Sequence, residues 1–282
     1  MRKSIHRILF GMLVLFLVQE CGVLLGEDAV LKLYVTRHAQ RGARANWPEA
    51  DRGKNVCGDL IDGKVSVPRE DSITPLGEKQ CVLLGQYLKK LGFNGKVFAS
   101  PCYRTMQTAV CTAKAIGPSI RIIPEPGLQG GGNRKAPAKG MSVAELVKRF
   151  PGMVQEVELP EFWKIANETT AEQRNARMEK FLDDLLKKEP AGQILLVGHS
   201  STLPSLIIAI NKRMTDKRLV IPHYPAYVVN CCLYVYHFNR NGEVVDASLE
   251  NYNYLPEDMI TNNFSPLKKL PPPAKKTVRP AQ

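Results

Sequence analysis

At 282 residues with 44% apolar and 23% charged content, the chain falls in the ordinary globular range and is long enough to bury one large core. Its formal charge of +12 comes without the interleaving of basic and aromatic residues that a nucleic-acid face needs. Nucleic acid is therefore excluded as the expected partner, and the excess reads as a solubilising surface plus a cationic substrate site.

The first segment follows a targeting layout. Arg2, Lys3 and Arg7 precede an apolar run from Ile8 to Val18, broken only by Gly11, and Gln19 and Glu20 end it. Residues 1–26 are thus expected to be a signal peptide that delivers the chain to the secretory lumen or outside the cell. A bilayer span wants about 20 apolar residues; extension of the run to Leu25 keeps a type II membrane anchor as the alternative, the one case in which a membrane is an expected partner. The segment holds three basic residues and one acidic residue, so the chain without it carries +10.

Six cysteines follow it: Cys57, Cys81, Cys102, Cys111, Cys231 and Cys232. An even number fits disulfides in an oxidising compartment, and helix-face burial of Cys81 and Cys111 as small apolar groups is the alternative. Asn167-Glu168-Thr169 and Asn263-Phe264-Ser265 are glycosylation sequons that suit the same route.

Val30 to Thr36 is a β-branched and apolar run, expected as a strand buried on both faces. Thr74-Pro75 predicts a helix start that runs to Leu91 and stops at Gly92. A strand at Lys96–Ala99, a helix at Tyr103–Ile116 and a strand at Ile120–Ile123 come next. The glycine- and proline-rich stretch 124–160 reads as an insertion over the sheet edge, with a short helix from Ser142 to Phe150. A helix at Thr170–Lys188, a strand at Gln193–Gly198 and a helix at Leu203–Ile210 restore the alternation. Ala226–Phe238 is expected as a strand, turned by Asn239-Arg240-Asn241-Gly242 into Glu243–Ala247. The sum is an α/β protein, a three-layer α/β/α sandwich with a mostly parallel central sheet. One domain is expected at 27–255, followed by a proline- and lysine-rich disordered tail at 256–282.

Three polar clusters each follow directly on a predicted buried strand: Arg37-His38 with Arg41, Ser100 with Arg104, and His199 with Ser200. Ligands of open parallel sheets sit beyond the carboxyl ends of the strands. Guanidiniums around a pair of imidazoles suit a phosphate dianion, because arginine offers paired donors matched to phosphate oxygens. A histidine kept neutral by such cations retains a ring lone pair that can attack phosphorus.

Arg37-His38-Ala39-Gln40-Arg41 resembles the signature of the histidine phosphatase superfamily, also called phosphoglycerate mutase-like, although the family has glycine where Ala39 stands. Ser100-Pro101-Cys102-Tyr103-Arg104-Thr105-Met106-Gln107-Thr108-Ala109 is similar to the family's second arginine motif, and Val197-Gly198-His199-Ser200-Ser201 to its second histidine motif. Asp71-Ser72-Ile73-Thr74 and Glu125-Pro126-Gly127-Leu128 look most like the phosphatase domain of the suppressor of T-cell receptor signalling proteins.

The resemblance implies a phosphohistidine mechanism on a small-molecule or protein phosphomonoester. His38 takes the phosphoryl group, Arg37, Arg41, Arg104, His199 and Ser200 line its site, and neither metal nor cofactor is needed. It also exposes a departure. Where this branch carries a glutamate general acid, the chain has Gly130; where the acid phosphatases place an aspartate after the second histidine, it has Ser200. Glu125 is a candidate replacement acid or else a cap on its own loop, with Glu158 and Glu161 as weaker candidates. Without a donor, aryl phosphates are expected to outpace alkyl ones.

Two other functions stay open: a pseudophosphatase that binds a phosphorylated ligand or partner, and a serine hydrolase using Ser200, whose Gly198-His199-Ser200-Ser201-Thr202 lacks the second glycine of a nucleophile elbow. His223, His237, Trp47 and Trp163 are read as structural, and Gly127–Gly132 lacks a nucleotide fingerprint.

Overall fold

The computed structural model describes residues 29–41, 60–61, 64–65, 72–130, 136–166, 168–222, 228–262 and 265–266. The expectations for segment 1–26, Trp47, Cys57, Asp71, 131–135, Asn167, His223, Asn263-Phe264 and 267–282 lie outside these residues.

A six-stranded sheet forms the centre. It is built from β1 (Leu31–Arg37), β4 (Lys96–Ala99), β5 (Ile122–Pro124), β6 (Gly192–Gly198), β7 (Tyr234–Phe238) and β8 (Val244–Leu249), in the order β5-β4-β6-β1-β7-β8. The first four are mutually parallel, and β7 and β8 add an antiparallel edge. Two small ribbons, β2 (Leu60–Ile61) with β3 (Lys64–Val65) and β9 (Thr261–Asn262) with β10 (Ser265–Pro266), stand apart from it.

Helices α1 (Pro75–Lys90) and α2 (Tyr103–Ile116) pack on each other, as do α4 (Ala171–Lys188) and α5 (Leu203–Asn211), and the two pairs flank the sheet; the short α3 (Val143–Arg149) lies in the insertion. Helix starts follow local chemistry. The Thr74 hydroxyl accepts from the Gly77 amide with Pro75 at the first helical position, and Ser142/Glu145 and Thr170/Gln173 form reciprocal capping boxes. Such caps are worth about 1 kcal/mol each, enough to fix a boundary but not to hold the fold. The fold is held by the buried faces: the side chains of Leu33, Val35, Val97, Leu195 and Val197 are fully enclosed.

The insertion covers the open sheet edge, since Val154 bridges Ile122 and the Gln155 amide donates to the Ile122 carbonyl at 2.8 Å. Trp163 is buried there. Its indole donates to Met141 O at 2.9 Å and lies where a Cβ on residue 140 would sit, 1.9 Å from the ring, so Gly140 is required for that contact.

Cys81 and Cys111 do lie on helix faces, Cys81 fully buried. Cys231 and Cys232 are buried, adjacent thiols. No helix among the described residues is long and apolar enough to cross a membrane.

Two segments differ from the sequence reading. Ala226–Phe238 is expected as one strand, yet among its described residues only Tyr234–Phe238 joins the sheet. The Cys232 amide closes a turn on Val229 O at 3.1 Å, with Cys231 at φ 50°. Residues 257–262, assigned above to a disordered tail, form a 3-10 turn and β9, with Ile260 and Thr261 buried against the domain.

Candidate active site

The register of the parallel strands brings the polar clusters together. Arg37 pairs with Gly198 and Ala99 with Val197, so β1, β6 and β4 end within one residue of each other. His38 N donates to Gly198 O at 2.9 Å and Ser100 N to Val197 O at 3.1 Å, which carries the ladder one step further. With strands about 4.8 Å apart, His38, His199 and Ser100 emerge side by side. The amino ends of α2 and α5 begin directly beyond, and the positive ends of their dipoles favour an anion at this edge.

The two imidazoles are nearly enclosed, His38 at 3% exposure and His199 at 2%, with ring centroids 5.4 Å apart. His38 Nδ1 lies 2.8 Å from Ala39 O. A carbonyl only accepts, so Nδ1 carries the proton and the lone pair is on Nε2. His199 is held at both nitrogens: Arg104 Nη2 donates to its Nδ1 at 2.9 Å, and its Nε2 donates to Ser100 Oγ at 2.9 Å. Burial, then Arg104, Arg37 and His199, hold His38 well below the usual imidazole range; burial, Arg104, Arg37 and Arg41 do the same to His199. Arg37 is itself fully buried. Burial pushes its guanidinium down to about 10, opposed by Cys232 and Cys231 and reinforced by repulsion from Arg41 and Arg104. A dianion seated among these cations relieves that repulsion.

The depressed pKa values have a consequence for stability. Below about 6.5 the unfolded chain protonates both imidazoles and the folded chain does not, so their contribution is present above that pH and lost as pH falls towards the folded values. A His38→Gln, His199→Gln double variant should therefore lose less Tm than the parent between about pH 7 and about pH 5. Equal losses in the two proteins contradict this.

The rest of the second arginine motif is structural. The Thr105 hydroxyl donates to Ser100 O, Thr108 Oγ1 donates to Arg104 O and accepts from the Ala39 amide, and Gln107 Oε1 accepts from the Ile73 amide, with Thr105, Gln107 and Thr108 fully buried. Arg41 bridges Ile73 and is half-buried, with its charge felt at His199 and Arg37.

Ser200 stands beside His199, but the ring nitrogens of His199 turn to Arg104 and Ser100, so Ser200 and His199 do not form a nucleophile–base pair. Glu125 is placed elsewhere. It follows the edge strand β5, three strand spacings or about 14 Å along the sheet from β1. Its Oε1 accepts from the Gly127 amide at 2.7 Å, burial raises its pKa, and Lys188 of α4 is the charge that lowers it. Those partners are a loop cap, not groups of the pocket. Glu158 lies in the insertion beyond α3 and Glu161 just after it, paired with Lys139, and His237 sits mid-β7 opposite Lys32.

Gly130 reaches the pocket by a route the sequence did not disclose. A Cβ there would meet His199 Cβ and Cγ at 2.9 Å and Ser201 Oγ at 2.8 Å. The loop before it is clamped: Arg177 donates to Gly127 O and Gln129 O while its Nε and Nη2 pair with both oxygens of Glu168. Asn230 and Asn262 are the other residues missed; Asn230 Nδ2 donates to His38 O at 2.9 Å, and Asn262 Oδ1 accepts from Arg37 Nη1 at 2.7 Å.

Among solved structures, the chain is similar to the ecdysone phosphate phosphatase of Bombix mori in complex with tungstate, at 22% identity and a TM-score of 0.50 over 76% of this chain and 92% of that one. That likeness shows the fold. A phosphoserine phosphatase from Entamoeba histolytica is similar at 15% identity and a TM-score of 0.46, covering 80% of this chain and 100% of that one. A phosphoglycerate mutase from Bacillus anthracis is similar at 14% and 0.46, covering 78% and 92%. Comparison with curated proteins finds no match. The model of the histidine phosphatase superfamily, branch 1, matches residues 33–250, a span that contains most of β1, both arginine motifs and both imidazoles, and the chain belongs to that superfamily.

Proposed function

We propose that the chain is a phosphatase of phosphate monoesters that works through a phosphohistidine at His38. One observation supports this above others: the Ala39 carbonyl fixes the His38 proton on Nδ1, leaving Nε2 as a neutral nucleophile beside a second imidazole held by Arg104. In the first step a His38 Nε2–P bond forms and the ester P–O bond breaks, with the electron pair leaving on the alcohol oxygen. Arg37, Arg41, Arg104 and His199 stabilise charge on the transferring group. Water then breaks the N–P bond and inorganic phosphate departs. The substrate is a small-molecule or protein phosphomonoester, and the targeting layout of residues 1–26 with the two sequons supports activity in the secretory route, as a secreted or membrane-anchored protein.

With Gly130 in place of the acid and Glu125 capping its own loop, no carboxylic acid of the described pocket protonates the leaving group. General acid catalysis is worth about 10²–10⁴-fold, and a phenol with pKa about 10 needs it least. Phenyl phosphate is expected to turn over about 10²-fold faster than glycerol phosphate and to label the protein with an acid-labile phosphoryl group. Comparable rates on the two esters contradict the aryl preference; no turnover and no label contradict the phosphatase.

The same lack of an acid favours a second reading, a pseudophosphatase that retains phosphate without hydrolysing esters. Tight phosphate binding with no labelled protein is its signature.

A further inference from the structure

Beneath the pocket a buried hydrogen-bonded chain joins the nucleophile to the segment that follows the sheet. Asn230 Nδ2 donates to His38 O at 2.9 Å, and the Cys231 amide next to it donates to Arg37 O at 3.1 Å. Cys231 adopts φ 50°, a left-handed conformation that favours glycine, to deliver that amide. Asn230 is itself held. Its backbone N donates to Thr261 O at 2.9 Å, its Oδ1 accepts from the Thr261 hydroxyl at 3.0 Å, and Thr261 Oγ1 accepts from Gln80 Nε2 at 3.0 Å. Gln80 closes the path back to the site, because its Oε1 accepts from the Gln40 amide at 2.9 Å. Asn230, Thr261 and Gln80 are fully enclosed.

The next residue of β9 takes hold of Arg37. Arg37 Nη1 donates to Val228 O and to Asn262 Oδ1, each at 2.7 Å. Nη1 has two hydrogens, so both are spent and the plane of the guanidinium is fixed. Paired donation from arginine to two phosphate oxygens depends on that plane.

We propose that β9 is a clasp on the phosphate pocket, in which Asn262 positions the Arg37 guanidinium for phosphate and Asn230, braced by Thr261, positions the His38 backbone. The inference rests on the phosphatase reading and adds two positioning residues to it. Because they act through different groups, their loss separates kinetically. Asn262 bears on the binding of phosphate in substrate and product alike, whereas Asn230 bears on the alignment of the attacking ring.

The test uses the full chain, inorganic phosphate as the binding probe and phenyl phosphate as substrate, with Tm measured for each variant. Asn262→Ala is expected to raise the Kd of phosphate and the KM about tenfold, equivalent to about 1.4 kcal/mol, with kcat changed by less than about threefold. Asn230→Ala is expected to lower kcat about tenfold with KM changed by less than about threefold. If both variants move KM and kcat together in proportion to lost Tm, the two residues only support the fold and the clasp is overturned. An unchanged phosphate Kd in Asn262→Ala overturns it as well, with the phosphatase reading intact. Failure of the parent chain to bind phosphate sinks the phosphatase reading and the clasp together.

Discussion

His38→Ala is expected to lower phenyl phosphate turnover by about 10⁴-fold or more and to abolish the labelled protein, while phosphate affinity stays within about threefold of the parent. The asymmetry follows from the geometry. His38 brings the reactive lone pair on Nε2, and its ring nitrogens take no part in orienting the arginines: Arg104 bonds to His199 and Arg37 bonds to Val228 and Asn262. Removing the imidazole therefore deletes the proposed nucleophile and leaves the guanidiniums in place. His199 cannot stand in, since one of its nitrogens accepts from Arg104 and the other donates to Ser100. Labelled protein from the alanine variant, or a residual rate within tenfold of the parent, would show that another group attacks phosphorus.

Gly130→Glu, which returns the family's acid to its place in the sequence, is expected to reduce phenyl phosphate turnover by about 10²–10³-fold and not to raise glycerol phosphate turnover. The obstruction begins at Cβ. Ser201 is exposed and its hydroxyl can swing away, but His199 is enclosed and pinned at both ring nitrogens. The loop cannot retreat cheaply either, because Arg177 holds Gly127 O and Gln129 O and the Ile165 amide donates to Gln129 Oε1 at 2.9 Å. The added side chain must displace His199, and with it Arg104, and misplacing one preorganised donor of charge typically costs that range. Gly130→Ala should move in the same direction by a smaller factor. Faster hydrolysis of glycerol phosphate by the glutamate variant would mean that the loop opens and that the missing acid is a matter of chemistry alone.

Much of the fold was legible because its central strands are mostly apolar runs, and its helix starts carry their own polar caps at Thr74, Ser142 and Thr170. The same rule misled at 226–238. Val228, Val229, Cys231, Cys232 and Leu233 are buried, as a strand would be, yet they surround a turn that no glycine or proline announces. Composition also hid residues 257–262, whose order comes from long-range hydrogen bonds to Gln80, Asn230 and Arg37 and not from any local pattern.

At the site, Arg37, His38, Arg104 and His199 stood out because each directly follows a readable strand or opens a readable helix. Asn230 and Asn262 did not, since one falls inside the expected strand 226–238 and the other in the expected tail, and neither has distinguishing neighbours in the chain. Glu125 was open between acid and cap, and the hydrogen bond from the Gly127 amide places it as a cap. That Gly130 faces His199 at close quarters could not be read at all, because sequence shows that an acid is missing but not that the backbone has taken up its space.

The central claim is that two imidazoles from separate strand ends share one bound phosphate. It is tested most directly by titrating the full chain with inorganic phosphate while following the ring nitrogen resonances of both residues. The expected result is that His38 and His199 respond with a single Kd and that both become easier to protonate when the dianion is bound. Response of one ring alone, or two unrelated dissociation constants, would contradict a common pocket.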